Sequence, residues 1–225
     1  MTDFAQARKN MVDCQIRTSG VTHAGLLNAF ETVPREIFAP DALKGIAYFD
    51  EDVVIAKGRA LLEPLTLSRM LEAAELSEDD VALDIGGATG YGAAILSSNV
   101  STVIALESKE EYLNAAQAHW KELEVCNIIA CQGALKDGQP DKGPYSLIVM
   151  HGAVPQVPKN IAAQLAPNGR LLTIIKEPGS KIGQATLIKN IEAQALGESA
   201  FSSYTLFECG AEYIEGFAPK PAFSF

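Results

Sequence analysis

Along the first third of the chain, apolar residues recur at helical spacing. Phe4, Ala7, Met11 and Cys14 share one side of a helix expected over 2–14. Leu26, Leu27 and Phe30 share one side of a second helix over 23–32, with Thr22 as its cap. Val33-Pro34-Arg35 ends that helix, and Pro40-Asp41 marks another turn. Aromatic and β-branched residues over 47–57 predict short strands, and Glu63-Pro64 leads into a helix over 65–74. The first 75 residues thus read as a helical cap with short extended pieces.

From residue 81 the rhythm becomes strand, helix, strand. Apolar runs predict strands over 81–85, 102–106, 127–131, 145–150 and 170–175. Helices fall between them over 91–97, 109–123 and 157–165. Ser108 is the expected cap of the second, with Glu111 completing a capping box. Two β segments follow, over 184–193 and 203–208, too close together for a crossover helix, so they form a hairpin. Strands alternating with helices predict an α/β fold: a Rossmann-like, mostly parallel sheet covered on both faces, with an antiparallel C-terminal hairpin and the N-terminal helical cap. The expected division is 1–75 for the cap and substrate side and 76–225 for the core, in one compact unit. The end of the chain, over 216–225, carries three phenylalanines and two prolines and is expected to pack its rings against the body.

Composition narrows the partners. Of 225 residues, 48% are hydrophobic and 20% charged, ample for a core of this size. The net charge is −10 with no basic run, which disfavours nucleic acid and otherwise reads as solubility. The cysteines Cys14, Cys126, Cys131 and Cys209 form no CxxC pair, so no metal site is expected and they read as small apolar residues. The start of the chain has no apolar leader-type run, and no apolar stretch reaches the ~18 residues of a membrane span. A cytoplasmic protein is the expectation.

The chemistry concentrates in Asp84-Ile85-Gly86-Gly87-Ala88-Thr89-Gly90, between a buried strand and a helix. There a chain must bend sharply and admit a ligand close to its backbone, at the carboxyl end of the strands. The dinucleotide fingerprint G-x-G-x-x-G does not fit: from Gly86 it meets Ala88 and Tyr91, and from Gly87 it meets Thr89 and Gly92. What is present is Asp-x-Gly-x-x-x-Gly. Glu107 ends the next strand 21 positions beyond Gly86, where a carboxylate can accept both hydroxyls of a ribose. A glycine-rich turn without a ligand, beside an ordinary exposed glutamate, is the alternative.

The turn pattern is that of class I methyltransferases, and the chain resembles the protein-L-isoaspartate O-methyltransferase family. The resemblance rests on Val33-Pro34-Arg35-Glu36-Ile37-Phe38, Ala47-Tyr48-Phe49-Asp50, the turn at 84–90 with Tyr91, Pro144-Tyr145, and 164–172, and covers nearly the first 175 residues. It implies S-adenosyl-L-methionine as cofactor, S-adenosyl-L-homocysteine as product, and carboxyl methylation of isoaspartyl residues in damaged proteins. It implies a cofactor site of Asp84, Gly86, Gly87, Ala88, Gly90, Glu107 and Ala134, with Asp84 facing the methionine amino group. On the substrate side it implies Arg59, Leu62 and Glu63.

The chain departs from the family where substrate is held. The family's Gly-x-x-Ile-Ser-x-Pro stretch reads Gly58-Arg59-Ala60-Leu61-Leu62-Glu63-Pro64, so its hydroxyl positions are Ala60 and Leu62, which offer a carboxylate no hydrogen bond. Ala134 replaces the acid that faces the adenine amine, and His151-Gly152 replaces small residues after the fourth strand. Arg59 and Glu63 pair with each other or face substrate. His151, with Asp84 a catalytic candidate, is a base for an acceptor of higher pKa or a hydrogen-bonded loop residue. His23 and His119 read as surface residues. Other functions stay open: a protein, peptide or small-molecule acceptor of another kind, suggested by Leu61 and Leu62, or a non-catalytic cofactor-binding or interaction protein.

Overall fold

The computed structural model describes residues 3–192 and 199–219. The expected helix start at Thr2, strand end at Ala193 and packing of Phe223 and Phe225 lie outside these residues. Asp3 opens α1 (Phe4–Met11): its carboxylate accepts the Gln6 amide, 3.1 Å away. A π turn (Val12–Ile16) and a 3₁₀ turn (Arg17–Ser19) carry on to Gly20. The second helix, α2 (Ala24–Thr32), is capped by His23, whose Nδ1 accepts the Leu26 amide at 3.1 Å. Thr22 does not cap it. Its amide and hydroxyl both donate to Glu72 instead. Beyond Pro34 the expected stop holds one more helical turn, α3 (Arg35–Phe38).

The extended pieces form an antiparallel hairpin of β1 (Val53–Ala56) and β2 (Arg59–Leu61), turning through Gly58. Then α4 (Pro64–Ala73) begins with proline in its first turn, where no amide is missed. Its N-terminal amides are received from outside: Asp52 accepts the Glu63 amide at 2.8 Å and Asp50 the Leu65 amide at 3.3 Å.

The core alternates as expected through β3 (Val81–Ile85), α5 (Tyr91–Ser97), β4 (Thr102–Glu107), α6 (Glu110–Glu122), β5 (Ile128–Gln132), β6 (Tyr145–Val154), α7 (Lys159–Ala162) and β7 (Leu165–Ile175). The hairpin of β8 (Ile182–Glu192) and β9 (Ser199–Gly210) completes it. The sheet order is β5-β4-β3-β6-β7-β8-β9, parallel through β7 and antiparallel in the last two pairings. Both sheet faces are covered by apolar clusters. Leu83, Ile85, Ile104 and Leu106 face one; Ala82, Val103 and Ala105 face the other, toward the N-terminal helices. Among the described residues, no helix is long and apolar enough to cross a membrane.

Two expectations near the carboxyl ends need correction. Ser108 does not cap α6, because the Glu107 carboxylate itself accepts the Ser108 and Lys109 amides and the Ser108 hydroxyl. The helix expected over 157–165 shrinks to α7: Pro158 delays its start, and Leu165 already pairs with Tyr145 in the sheet.

The base of the sheet is tied by Arg170. Its guanidinium meets both Asp80 oxygens, at 2.7 and 2.5 Å, and the carbonyls of Glu75 and Ser146 at 3.0 and 3.1 Å. Removing one partner of so enclosed a pair costs about 3–5 kcal/mol. Arg170→Ala is expected to lower the melting temperature by roughly 10 °C in a thermal scan, and Arg170→Lys to recover only part of it, since an ammonium cannot span both oxygens.

Asp52 makes the opposite contribution. Burial, reinforced by the Glu63 and Glu212 carboxylates, pushes its carboxyl up to about 6, against the Glu63 amide and Arg35. The folded state therefore holds the proton more tightly than the unfolded chain. That stability is full below the unfolded value near ~4 and is lost as pH rises through about 6. Asp52→Asn keeps the amide acceptor without the charge. Relative to the parent it is expected to gain about 2 kcal/mol, or ~4–8 °C, between pH 4 and pH 7.5. An unchanged difference across that range would show that Asp52 is not buried as a charge.

Candidate active site

The sheet reverses its winding between β3 and β6, and the turn after β3 lies at that switch point, where open α/β sheets take their ligands. Alternation along the strands places the two predicted acids together. Asp84 pairs in register with Ala105 of β4, and Glu107 lies two positions further on the same face. Both are buried, with 2% and 3% of their surface exposed. Ala88 and Gly90 both have positive φ. Gly90 is needed twice over, because at φ +93° a Cβ would also stand 2.6 Å from the Trp120 ring. That ring comes from α6 and donates its Nε1–H to the Gly90 carbonyl at 2.9 Å. His119, expected on the surface, is half-buried; its Nδ1 bonds to the Thr89 carbonyl at 3.1 Å and its ring meets Phe38 edge-on.

Glu107 is not an ordinary exposed residue. Arg59, 1% exposed, reaches it from β2 and donates from Nε and Nη2 to the two carboxylate oxygens, each at 2.9 Å. Burial works against the carboxylate, but Arg59 and the Ser108 and Lys109 amides outweigh it and hold Glu107 below the usual carboxylate range. Arg59 is therefore not paired with Glu63. Glu63 instead accepts the Thr66 hydroxyl and lines a cleft of about 500 Å³ shared with Glu51, Asp52, Lys176, Lys181 and Glu212.

His151 belongs to a strand rather than a loop. Between the pairings Val149↔Leu172 and Ala153↔Ile174, β6 carries two more residues than β7, and this bulge aims His151 back at β3. Its Nε2 bonds to Asp84 Oδ2 at 2.5 Å, with 6% of the histidine exposed. The ring packs against Gly92, where a Cβ would be 2.1 Å from Cε1.

The Arg35 block has a structural task. Arg35 is fully buried and donates to the carbonyls of Ala47, Leu61 and Leu62, with its guanidinium 4.9 Å from the Tyr91 ring centroid. It thereby fixes the backbone of 58–64 against the first residue of α5. Ala60 and Leu62 are buried, and Ala134 is exposed beyond β5.

For a nucleoside cofactor the two acids are the right chemistry, one for a diol and one for an ammonium. The space between them is not. The hollow bounded by Asp84, Gly87, Ala88, Glu107, Leu113 and Trp120 measures about 10 Å³, room for one water at most. Arg59 and His151 hold the hydrogen-bonding oxygens of the two acids, so a cofactor that reaches these acids has to displace both. The positions of Arg59 and His151 were legible in the sequence, but not their partners, which depend on the hairpin and the bulge.

Known proteins give this arrangement its context. The family model for protein-L-isoaspartate(D-aspartate) O-methyltransferase matches residues 6–201. A protein-L-isoaspartate O-methyltransferase of Koribacter versatilis is 34% identical over 178 residues, 79% of this chain and 80% of that protein. One of Pelobacter propionicus is 32% identical over 208 residues, 92% of this chain and 88% of that protein. A solved protein-L-isoaspartate O-methyltransferase shares the fold at a TM-score of 0.78 and 23% identity, over 94% of this chain and 67% of that one. A structure from Plasmodium falciparum, solved with S-adenosyl-L-homocysteine, shares it at 0.70 and 18%, over 96% and 99%. With a matching model over most of its length and relatives of this identity, the chain belongs to the protein-L-isoaspartate(D-aspartate) O-methyltransferase family.

Proposed function

We propose that this chain is an S-adenosylmethionine-dependent O-methyltransferase that acts on the carboxylate of isoaspartyl residues, the activity that its relatives' names carry. The observation that carries the reading is the placement of Asp84 and Glu107 on one face at the switch point, in a chain of this family. In this reading Asp84 receives the cofactor's ammonium, Glu107 its ribose hydroxyls, and the backbone of Gly86, Gly87, Ala88 and Gly90 the part between. Residues 1–75 supply the substrate side and 76–225 the cofactor core.

The acceptor follows from what His151 is doing. In this structure Nε2 is engaged by Asp84 at 2.5 Å rather than presented to an acceptor as a base. A carboxylate oxygen is already a nucleophile and needs alignment alone. On the acceptor side the buried side chains of Ala60 and Leu62 give a carboxylate no donor.

Two outcomes test this. With cofactor at saturating concentration, labelled methyl is expected to pass to an isoaspartyl peptide and not to its normal aspartyl counterpart. Its kcat is expected to stay level from pH 6 to pH 8, because a carboxylate acceptor needs no general base. A protein with bound cofactor and no turnover would sink the proposal. Ala60→Ser returns one hydroxyl and is expected to raise kcat/KM about 10-fold, mostly through KM, as a hydrogen bond to a charged group does.

A further inference from the structure

We infer that Arg59 and His151 take, from within the chain, the places of the cofactor's diol and ammonium, and that they set its affinity. The inference rests on the methyltransferase reading of the turn. Arg59 offers Glu107 two N–H donors at 2.9 Å, one to each oxygen, the same paired pattern that a ribose diol presents. His151 offers Asp84 an N–H, as an ammonium would. The close approach that glycines allow is used by the chain's own rings: Trp120 against Gly90 and His151 against Gly92. The hollow left beside Asp84, Glu107 and Trp120 is about 10 Å³.

A strap holds this arrangement in place. After β9 the chain returns across the carboxyl ends of the strands. Glu212 and Ile214 bond to the backbone of Ala153, and the Glu215 amide donates to the Gly58 carbonyl at 3.2 Å. The Glu215 carboxylate lies 3.5 Å from Arg59 Nη2 and 3.2 Å from Lys109 Nζ. Arg59 is thus held between Glu107 inside and Glu215 outside. The strap lies beyond residue 201, where the family match ends. For a nucleoside to reach Glu107, Arg59 has to leave a buried pair and the strap has to lift. A ligand that must displace such a pair loses the affinity that the pair's rupture consumes.

The test is calorimetric titration of S-adenosyl-L-homocysteine into the full chain, with the ligand-induced melting shift as a second readout. The parent is expected to bind weakly. Arg59→Gln/His151→Ala frees both acids and is expected to bind about 100-fold tighter. Adding Glu107→Ala to that variant is expected to abolish the gain. If the double variant does not fold by circular dichroism, Glu215→Gln, at a half-exposed position, loosens the strap alone and is expected to gain about 3-fold, roughly one surface ion pair; no gain there overturns the inference. A parent that binds tightly, with no gain in the variants, overturns the inference and leaves the methyltransferase reading standing. A folded double variant that still does not bind overturns both, because Asp84 and Glu107 are then not cofactor acids.

Discussion

The carboxyl end of this sheet is organised by one buried ion pair. Arg59 and Glu107 are almost wholly withdrawn from water, and neither can be so alone, since an unpaired buried charge costs several kcal/mol. Satisfying Arg59 requires the β1–β2 hairpin to lie against the end of β4. That fixes Gly58, whose carbonyl takes both Arg59 Nη1 and the Glu215 amide, and so draws the C-terminal strap over the site. Satisfying Glu107 uses the Ser108 amide, which Glu111 would accept in a capping box, together with the Lys109 amide, and so sets how α6 begins. The strap then brings Ile214 against Gly86 and Gly152, which limits the space above the turn.

Much of this was legible in the chain because it depends on local pattern. Every strand of the large sheet was announced by an apolar run or by β-branched residues. The acid at the end of β3 and the acid at the end of β4 fall on one face by alternation alone. The boundaries that shifted did so for tertiary reasons. Thr22 has the right chemistry for a helix cap, but Glu72 on α4 offers it a charged acceptor, and His23 takes the capping place. The capping box at Ser108 and Glu111 fails because the buried Glu107 carboxylate takes both the Ser108 amide and the Ser108 hydroxyl.

The side-chain partners were less legible, and for a physical reason. Arg59 and Glu63 are close in sequence, which suggests a pair, yet on β2 and at the start of α4 their side chains diverge. Arg59 finds an acid 48 positions away and Glu63 finds Thr66. His151 was readable as a strand-end residue but not as Asp84's partner, because its direction is set by a bulge in β6 with no marker beyond Gly152. His119 lies in a helical segment and reads as a surface residue, but the turn carbonyl it bonds belongs to a different element.

The glycine turn carries the general lesson of this chain. Asp-x-Gly-x-x-x-Gly describes a backbone that permits close approach, and permission does not name the occupant. A cofactor and the rings of Trp120 and His151 make the same demand at Gly90 and Gly92: no Cβ in the way. Likewise a ribose diol and the guanidinium of Arg59 make the same demand on Glu107. Here Glu107 is met by Arg59, the second residue of the Gly58–Pro64 stretch, with Glu215 of the strap on its outer side. Arg59, on a short hairpin, anchors Glu107 from within the chain and leaves the backbone of the turn as it is.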